Sequence, residues 1–251
     1  MLYYKINFTF INEKVDREKA DEDLYWYLGI LYKNGNCLRD YKVVANEHGY
    51  EVYIGMYDTY PIKEKAYRNK YIDEYDSALK NYFDISYELL GELDGWAESC
   101  YCEQPSAYLM YTTQFDDEML ILCADCGGIV PLYKLPYLEP YEEEHLTLHS
   151  WKDSYRAMDN LWLHAWTESV ERSALYQMHN PKSSLSTWGR SLCKELEEKT
   201  GVPTYYYLFN SEKGYRKCPL CGKPWRAEDD GVCDFFCDDC RLATDKLESK
   251  Y

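Results

Sequence analysis

Eight of the eleven cysteines fall into two groups whose spacing suits metal binding. Cys218, Cys221, Cys237 and Cys240, here called the C-terminal cluster, follow the zinc-type pattern C-x2-C-x15-C-x2-C. Two CxxC turns brought together by a hairpin complete a tetrahedron of thiolates about 2.3 Å from Zn²⁺. Sulfur ligands favour zinc, and a rubredoxin-type iron centre is the alternative. Four protein ligands leave no open position, so we expect a structural site.

The second group, here called the central cluster, comprises Cys100, Cys102, Cys123 and Cys126 in the pattern C-x-C-x20-C-x2-C. Its CxxC half is followed by Gly127, which eases a tight turn. We expect a second structural zinc ion here. The alternative is a redox-type CxxC beside two buried thiols, although no thioredoxin-type βαβ pattern flanks it.

Three cysteines lie outside the two clusters. Cys233 lies four residues before Cys237, where it is either a substitute ligand or a packed thiol. We favour the packed thiol because the CxxC pair is complete without it. Cys193 adjoins an apolar helix stripe and is expected in the core, whereas Cys37 lies in a predicted loop.

The formal net charge of −16 argues against a protein that coats nucleic acid through bulk electrostatics. Basic residues nevertheless cluster around the first CxxC of the tail, where they neighbour an aromatic side chain. Aromatic rings can stack on unpaired bases while cations contact phosphates. The predicted nucleic-acid-binding residues are Lys213, Arg216, Lys217, Lys223, Trp225 and Arg226. The alternative is that Trp225, Phe235 and Phe236 form the small core of the metal module.

The acidic composition also favours a second function, an interaction module for a basic protein. The chain carries 44 acidic residues against 28 basic ones, and it has 28 tyrosines. Negative charge and tyrosine both suit an interface with a cationic partner. An adaptor, an antitoxin or an immunity-type protein would fit this description.

Catalytic motifs are missing from the sequence, and we predict that the protein is not an enzyme. HExxH, P-loop, GxSxG and GxGxxG patterns are absent. His145 and His149 are four residues apart and would share a helix face, but Leu148 and Trp151 mark an ordinary amphipathic helix start. We therefore expect no catalytic residue, no cofactor-binding residue and no small-molecule substrate.

The compartment is predicted from the first residues and from the cysteines. The start, MLYYKINFTFIN, lacks a basic segment and a small-residue cleavage site. The sequence contains no run of eighteen apolar residues, so we predict no membrane span. In a reducing compartment the cysteines would serve metal rather than disulfides. We expect a cytoplasmic protein.

Residues 1–95 show the element order β-α-β-β-α-β, which predicts a ferredoxin-like domain. Alternating residues predict a strand over 3–11, and Asp16 opens an amphipathic helix. Two β-rich runs around Asn46–Gly49 predict a hairpin. Helical spacing over 63–82 and the strand DISYELLGEL complete the order.

We expect residues 96–210 to form a mixed zinc-binding α/β domain, in which a module with the central cluster is followed by helices and a strand. We expect residues 211–251 to form a C-terminal zinc ribbon. The acidic run EPYEEEH is expected to be a solvated linker. Apolar spacing over 147–200 predicts helices, with a serine cap before Leu185 and a stop at Gly201. PTYYYLF then predicts a strand. The whole chain is thus expected to be α+β.

Several phrases together resemble a known family. CYCEQPSAYLMYTTQF, LCADCGGIVPLYKLP, SWKDSYRAMDNLW, LSTWGRSLCKELEEKTGVPTYYYLF and CPLCGKPW…FFCDDCRL occur in this order. They resemble an uncharacterised bacterial family of zinc-ribbon-containing proteins with a conjectured nucleic-acid-binding role. The resemblance covers roughly residues 98–244, and it implies zinc at both cysteine clusters and binding of nucleic acid.

Overall fold

A computed structural model of the chain describes residues 1–93, 98–116, 118–210, 216–228 and 231–245. It is mixed α+β with two sheets, in agreement with the predicted fold class. The chain divides into two compact units. Unit 1 comprises Met1–Ser99 and Pro131–Leu146, and unit 2 comprises Cys100–Val130 and Thr147–Tyr251. Among the described residues, no helix combines the length and apolar character needed to cross a membrane.

Unit 1 contains one four-stranded sheet and two α-helices. Its strands lie in the order β2-β3-β1-β4, and every neighbouring pair is antiparallel. The chain order is β-α-β-β-α-β, as the sequence predicted. The elements are β1 (Leu2–Phe10), α1 (Arg17–Lys33), β2 (Lys42–Asn46), β3 (Gly49–Met56), α2 (Lys70–Leu79) and β4 (Phe83–Glu92).

Alternation along β1 builds the core of unit 1. Tyr4, Ile6 and Phe8 are buried on one face of the sheet, because successive strand residues point to opposite sides. The apolar stripe of α1 packs in the same buried cluster. Asp16 caps this helix by accepting a hydrogen bond from the Lys19 N–H at 3.2 Å. The predicted start of α1 is thus confirmed.

The second helix of unit 1 is shorter than the predicted span of 63–82. A separate 3-10 turn covers Lys65–Tyr67, and α2 begins only at Lys70. Asn69 sets this start because its side chain accepts a hydrogen bond from the Ile72 N–H at 2.8 Å. The helical spacing of the tyrosines over 63–82 carries no information about this cap, and the predicted helix therefore began too early.

Residues 131–146 belong to unit 1 and contact its first segment, so the end of the acidic run is not the solvated linker that the sequence predicted. Asn69 Nδ2 donates to the Glu143 carbonyl at 2.6 Å. Lys33 and Glu144 form an ion pair at 3.4 Å. The Tyr137 hydroxyl donates to Asn34 Oδ1 at 2.7 Å. Buried polar partners of this kind hold the segment in place because each would be costly to leave unpaired.

Unit 2 is built on a six-stranded sheet with the order β6-β5-β7-β10-β9-β8. β7 pairs in parallel with both β5 and β10, so the strands around the C-terminal cluster continue the sheet of the preceding residues. Its elements are β5 (Tyr108–Met110), β6 (Ile121–Cys123), α3 (Leu146–His164), α4 (Glu168–His179), α5 (Ser184–Thr200), β7 (Thr204–Tyr207), β8 (Arg226–Ala227), β9 (Phe235–Cys237) and β10 (Leu242–Thr244).

Close packing joins α5 to the middle of this sheet. A Cβ on Gly189 would lie 2.3 Å from the Tyr206 ring, so only glycine fits there. Trp151 of α3 is fully buried and donates its indole N–H to the Leu185 carbonyl at 3.3 Å. The predicted cap of α5 is present, because Ser183 accepts from the Ser186 N–H at 3.1 Å. These contacts fix the strands that carry the cysteines.

Candidate metal centres

The structure brings the four cysteines of the C-terminal cluster together. Their Sγ atoms all lie within 4.8 Å of one another, and those of Cys221 and Cys237 are 3.6 Å apart. A tetrahedron with metal–sulfur bonds of about 2.3 Å has edges of about 3.8 Å, so the arrangement fits one metal ion. A disulfide would require a sulfur–sulfur distance near 2.05 Å.

Two tight turns aim these sulfurs at one point. In the first, the Gly222 N–H donates to the Cys218 carbonyl at 2.9 Å, and Gly222 has a φ of 72°. Glycine enters this left-handed region without steric cost. In the second, Cys237 ends β9 and its carbonyl accepts from the Cys240 N–H at 3.3 Å. Between the two turns β8 pairs antiparallel with β9, and β10, which follows the second turn, pairs antiparallel with the other side of β9.

The cysteine thiols of the C-terminal cluster differ in pKa. A hydrogen bond from the backbone N–H of Lys223 lowers the pKa of Cys221 to about 7. Burial raises the pKa of Cys237 to about 11, and it raises the pKa of Cys240 as well. Thiols must lose their protons to bind a metal, so metal binding here would release protons.

The central cluster has the same compactness. The Sγ atoms of Cys100, Cys102, Cys123 and Cys126 also lie within 4.8 Å of one another. Burial raises the pKa of Cys100 to about 12 and that of Cys102 to about 11. The backbone N–H of Gly128 acts against burial and lowers the pKa of Cys126. Thiols with raised pKa values, such as Cys100 and Cys102, are poor nucleophiles as they stand, and a cation would reverse their preference for the protonated form.

Backbone hydrogen bonds shape the central cluster. Cys123 is the last residue of β6, and its N–H donates to the Gly128 carbonyl at 2.9 Å. The Gly128 N–H in turn donates to Cys126 Sγ at 3.4 Å. Cys100 joins from another segment, because its N–H donates to the Ile129 carbonyl at 2.7 Å. The two halves of the cluster are thus tied by main-chain bonds.

The remaining cysteines belong to neither cluster. Cys233 is buried, as expected for a packed thiol, and burial raises its pKa. Cys193 is buried in the core, where its sulfur lies 3.5 Å from Met110 Sδ. Cys37 is also buried.

Two of the predicted nucleic-acid-binding cations, Lys223 and Arg226, form ion pairs with acidic side chains that the sequence pattern did not indicate. Lys223 forms an ion pair with Asp239 at 2.5 Å. Arg226 pairs with Asp238 at 3.2 Å and with Glu228 at 2.9 Å. Asp238 and Asp239 lie in the opposite CxxC turn, so their proximity to the cations depends on the fold, whereas Glu228 lies only two residues after Arg226.

The other residues predicted to bind nucleic acid differ in their exposure to solvent. Arg216 and Lys217 are exposed just before Cys218, and Trp225 is half-buried. Lys213 lies outside the described residues. Phe236 is buried, and its ring packs edge-on against Tyr205 with centroids 5.1 Å apart. Phe236 therefore belongs to the core of the module, as the alternative interpretation stated.

His145 and His149 are both buried, but His145 precedes the first residue of α3. Burial lowers the pKa of His145 to about 3. Its ring packs on Tyr137 with centroids 4.7 Å apart. His145 is thus a neutral packing residue at pH 7.

The middle of the chain is similar to an uncharacterised family. Residues 102–209 match DUF2310, a domain of unknown function. This range includes Cys102, Cys123 and Cys126 of the central cluster and ends before the C-terminal cluster. The match supports the predicted resemblance to an uncharacterised bacterial family.

Two relatives extend this similarity. An uncharacterised protein of Haemophilus influenzae is 29% identical over 197 residues, which cover 71% of this chain and 94% of the relative. A second uncharacterised protein from that organism is 32% identical over 170 residues, which cover 63% of this chain and 62% of the relative. The chain therefore spans less than two thirds of the second relative. No solved structure matches the chain.

Proposed function

We propose that both cysteine clusters hold structural zinc ions and that the protein is a binding protein built on these two sites. The single observation behind the proposal is that two separate sets of four Sγ atoms each lie within 4.8 Å of one another. Each set supplies four soft ligands and thus a full tetrahedral shell. Zinc would stabilise segments that have little core of their own.

Metal analysis of protein purified without oxidation tests this proposal. We expect two zinc ions per chain by elemental analysis and native mass spectrometry. Cys221→Ser and Cys126→Ser should each bind one ion fewer. Cys233→Ser is the matched control, because this buried cysteine lies outside both clusters, and it should keep both ions. Iron in place of zinc, or a metal-free wild type with titratable thiols, would refute the assignment.

The binding partner that we propose is a basic protein. The ion pairs of Lys223 and Arg226 support this choice, because the paired cations are less available for phosphates. Two tetrathiolate zinc sites would also shift the formal charge from −16 to about −20. Complementary charge speeds encounter and suppresses partners of like charge.

Affinity capture of the full chain from source cells tests this partner class. We expect a cationic protein in stoichiometric amount at low salt, with recovery that falls as the salt concentration rises. Lys223→Ala is a useful variant because it frees Asp239 and should strengthen the capture. Recovery of no stoichiometric basic protein would count against this role.

Nucleic-acid binding is the second candidate, favoured by exposed Arg216 and Lys217 beside the C-terminal cluster. Titration with single-stranded RNA and DNA across salt concentrations tests it. A variant with Arg216→Glu and Lys217→Glu should lose the binding, while Lys194→Glu, an exposed change on α5, should not. Absence of binding at low salt would eliminate this candidate.

Three further expectations belong to the same proposal. The strand order β2-β3-β1-β4 and the chain order of unit 1 support a ferredoxin-like fold. None of the eleven cysteines, all of which lie within the described residues, is in a disulfide, and this suits a reducing compartment and favours the cytoplasm. Burial and a lowered pKa argue against a catalytic role for His145 itself, and we propose a binding role for the protein.

A further inference from the structure

Strand β2 lies at one edge of the sheet of unit 1, with β3 as its neighbour. All five of its residues are exposed, and Val43 and Val44 are 45% and 49% exposed. Alternate residues of an antiparallel strand point their N–H and C=O groups to opposite sides, so β2 also presents backbone groups away from β3. An exposed aliphatic edge of this kind is a template for another strand.

The other edge of the same sheet, β4, also exposes apolar side chains at Tyr87, Leu89 and Leu90, but it carries two features that oppose edge pairing. In the pairing of β1 with β4, Tyr4 of β1 lies opposite Leu89 of β4, and Tyr3 lies opposite Gly91. Leu90 is therefore the extra residue of a bulge in β4. Exposed acidic residues also line β4 at Asp84 and Glu88. Bulges and charged side chains are the usual means by which proteins block edge pairing. β2 has no bulge in its pairing with β3.

The two faces of β2 show which strand would fit. Val43 lies opposite Val52, whose side chain is buried in the core, so Val43 is on the helix-covered side of the sheet. Val44 is on the other side because side chains alternate. A partner strand should therefore place small apolar residues on both faces at its centre. The sequence of β2 itself, KVVAN, meets this requirement.

We propose that β2 pairs with β2 of a second copy of this chain, antiparallel, about a two-fold axis through Val44. This register pairs all five residues and sets Val43 opposite Ala45 of the other copy. Lys42 then faces the neutral Asn46, whereas a parallel arrangement would stack Lys42 on Lys42. The two four-stranded sheets become one continuous sheet of eight strands.

The expected dimer is weak, because a five-residue edge buries less than the roughly 1,200 Å² of a standard interface. Sedimentation equilibrium of the full, metal-loaded chain should show a concentration-dependent monomer–dimer equilibrium. Val44→Glu and Val44→Lys should each raise the dissociation constant at least about tenfold, since each places like charges directly opposite on the axis. An equimolar mixture of the two variants should regain dimers, seen as heterodimers by native mass spectrometry.

Leu89→Glu is the matched control, because it places the same charge at a position that is 52% exposed on β4. Its dissociation constant should equal that of the wild type. Circular dichroism and thermal unfolding of every variant separate loss of pairing from loss of fold. A wild-type chain that stays monomeric up to about 1 mM would overturn the proposal. Failure of the two folded Val44 variants to pair with each other would overturn it as well.

Discussion

Arg241 and Glu197 form a two-point ion pair that ties the C-terminal cluster to α5. Arg241 Nε donates to Glu197 Oε2 at 2.8 Å, and Nη2 donates to Oε1 at 2.9 Å. Arg241 directly follows Cys240 and has a φ of 50°. A guanidinium and a carboxylate in this parallel arrangement bond with defined geometry. The ion pair therefore fixes the position of the second CxxC turn relative to the helix.

We expect Arg241→Ala to lower the free energy of unfolding of unit 2 by about 1 kcal/mol, because the pair is partly exposed and solvent weakens it. Arg241→Lys should recover only part of this loss, since an ammonium cannot form both hydrogen bonds. Lys194→Ala is the control: its pair with Glu198 on the same helix is more exposed, at 3.5 Å. Urea unfolding measures the free energy of unfolding of each variant. An equal loss in Arg241→Ala and Lys194→Ala would contradict the importance of the two-point geometry.

Loss of one ligand from the C-terminal cluster should unfold the residues around it. In Cys240→Ser three thiolates remain, and most of the coupling between metal binding and folding is lost. Limited proteolysis should then cut within 211–251, while Cys193→Ser, a change of a buried cysteine outside the clusters, should leave this region resistant. Unchanged resistance in Cys240→Ser would show that the metal does not stabilise this region.

Two glycines near the C-terminal end of α1 should respond in opposite directions to alanine. Gly35 has a φ of 79°, and a Cβ there would lie 2.5 Å from the Leu132 Cβ. Gly35→Ala should therefore cost about 3 kcal/mol, from left-handed strain and overpacking together. Gly29 lies within α1 and a Cβ there meets nothing within 4 Å, so Gly29→Ala should stabilise by about 1 kcal/mol. Chemical denaturation, monitored by a spectroscopic signal from unit 1, measures the change in unfolding free energy for each variant. A destabilised Gly29→Ala variant would contradict this prediction.

His145 should make unit 1 sensitive to acid. Burial lowers its folded pKa to about 3, whereas an unfolded histidine titrates near 6.5. The unfolded chain therefore binds the extra proton first, and stability falls as the pH drops from about 6.5 towards 3. Between pH 7 and pH 5 this amounts to about 2 kcal/mol.

His145→Phe keeps a ring against Tyr137 and removes the titrating group, so it should reduce this loss between pH 7 and pH 5. His48→Asn is the control because His48 is an exposed residue of the β2–β3 turn. Denaturation at both pH values gives the comparison. The same acid loss in His145→Phe as in the wild type would show that other groups are responsible.

Local signals in the sequence predicted much of this structure. The alternation in β1, the Asp16 cap and the hairpin turn each depend on neighbouring residues, and each appears where expected. The two cysteine patterns likewise predicted which sulfurs meet, because a CxxC turn sets the direction of two ligands by itself. The predicted division into 1–95, 96–210 and 211–251 concerns independent folding and stays a prediction for truncated chains.

Contacts between distant segments could not be predicted in this way. The acidic run before His145 looks solvated by composition, yet Asn69 and Lys33 bind Glu143 and Glu144. The pairing of Lys223 with Asp239 depends on two turns meeting in space. The parallel neighbours of β7 join strands that are far apart in the chain, and no local pattern indicates such a register.

The parallel pairing of β5 with β7 has a consequence for synthesis on the ribosome. Tyr108 lies opposite Thr204, and the chain between them includes three helices. A nascent chain therefore exposes all four central thiols well before the middle strand of their sheet has been translated. During that interval the thiols are open to oxidation or to an early metal ion. Under the proposed function, the timing of zinc delivery relative to translation is therefore part of how this protein matures.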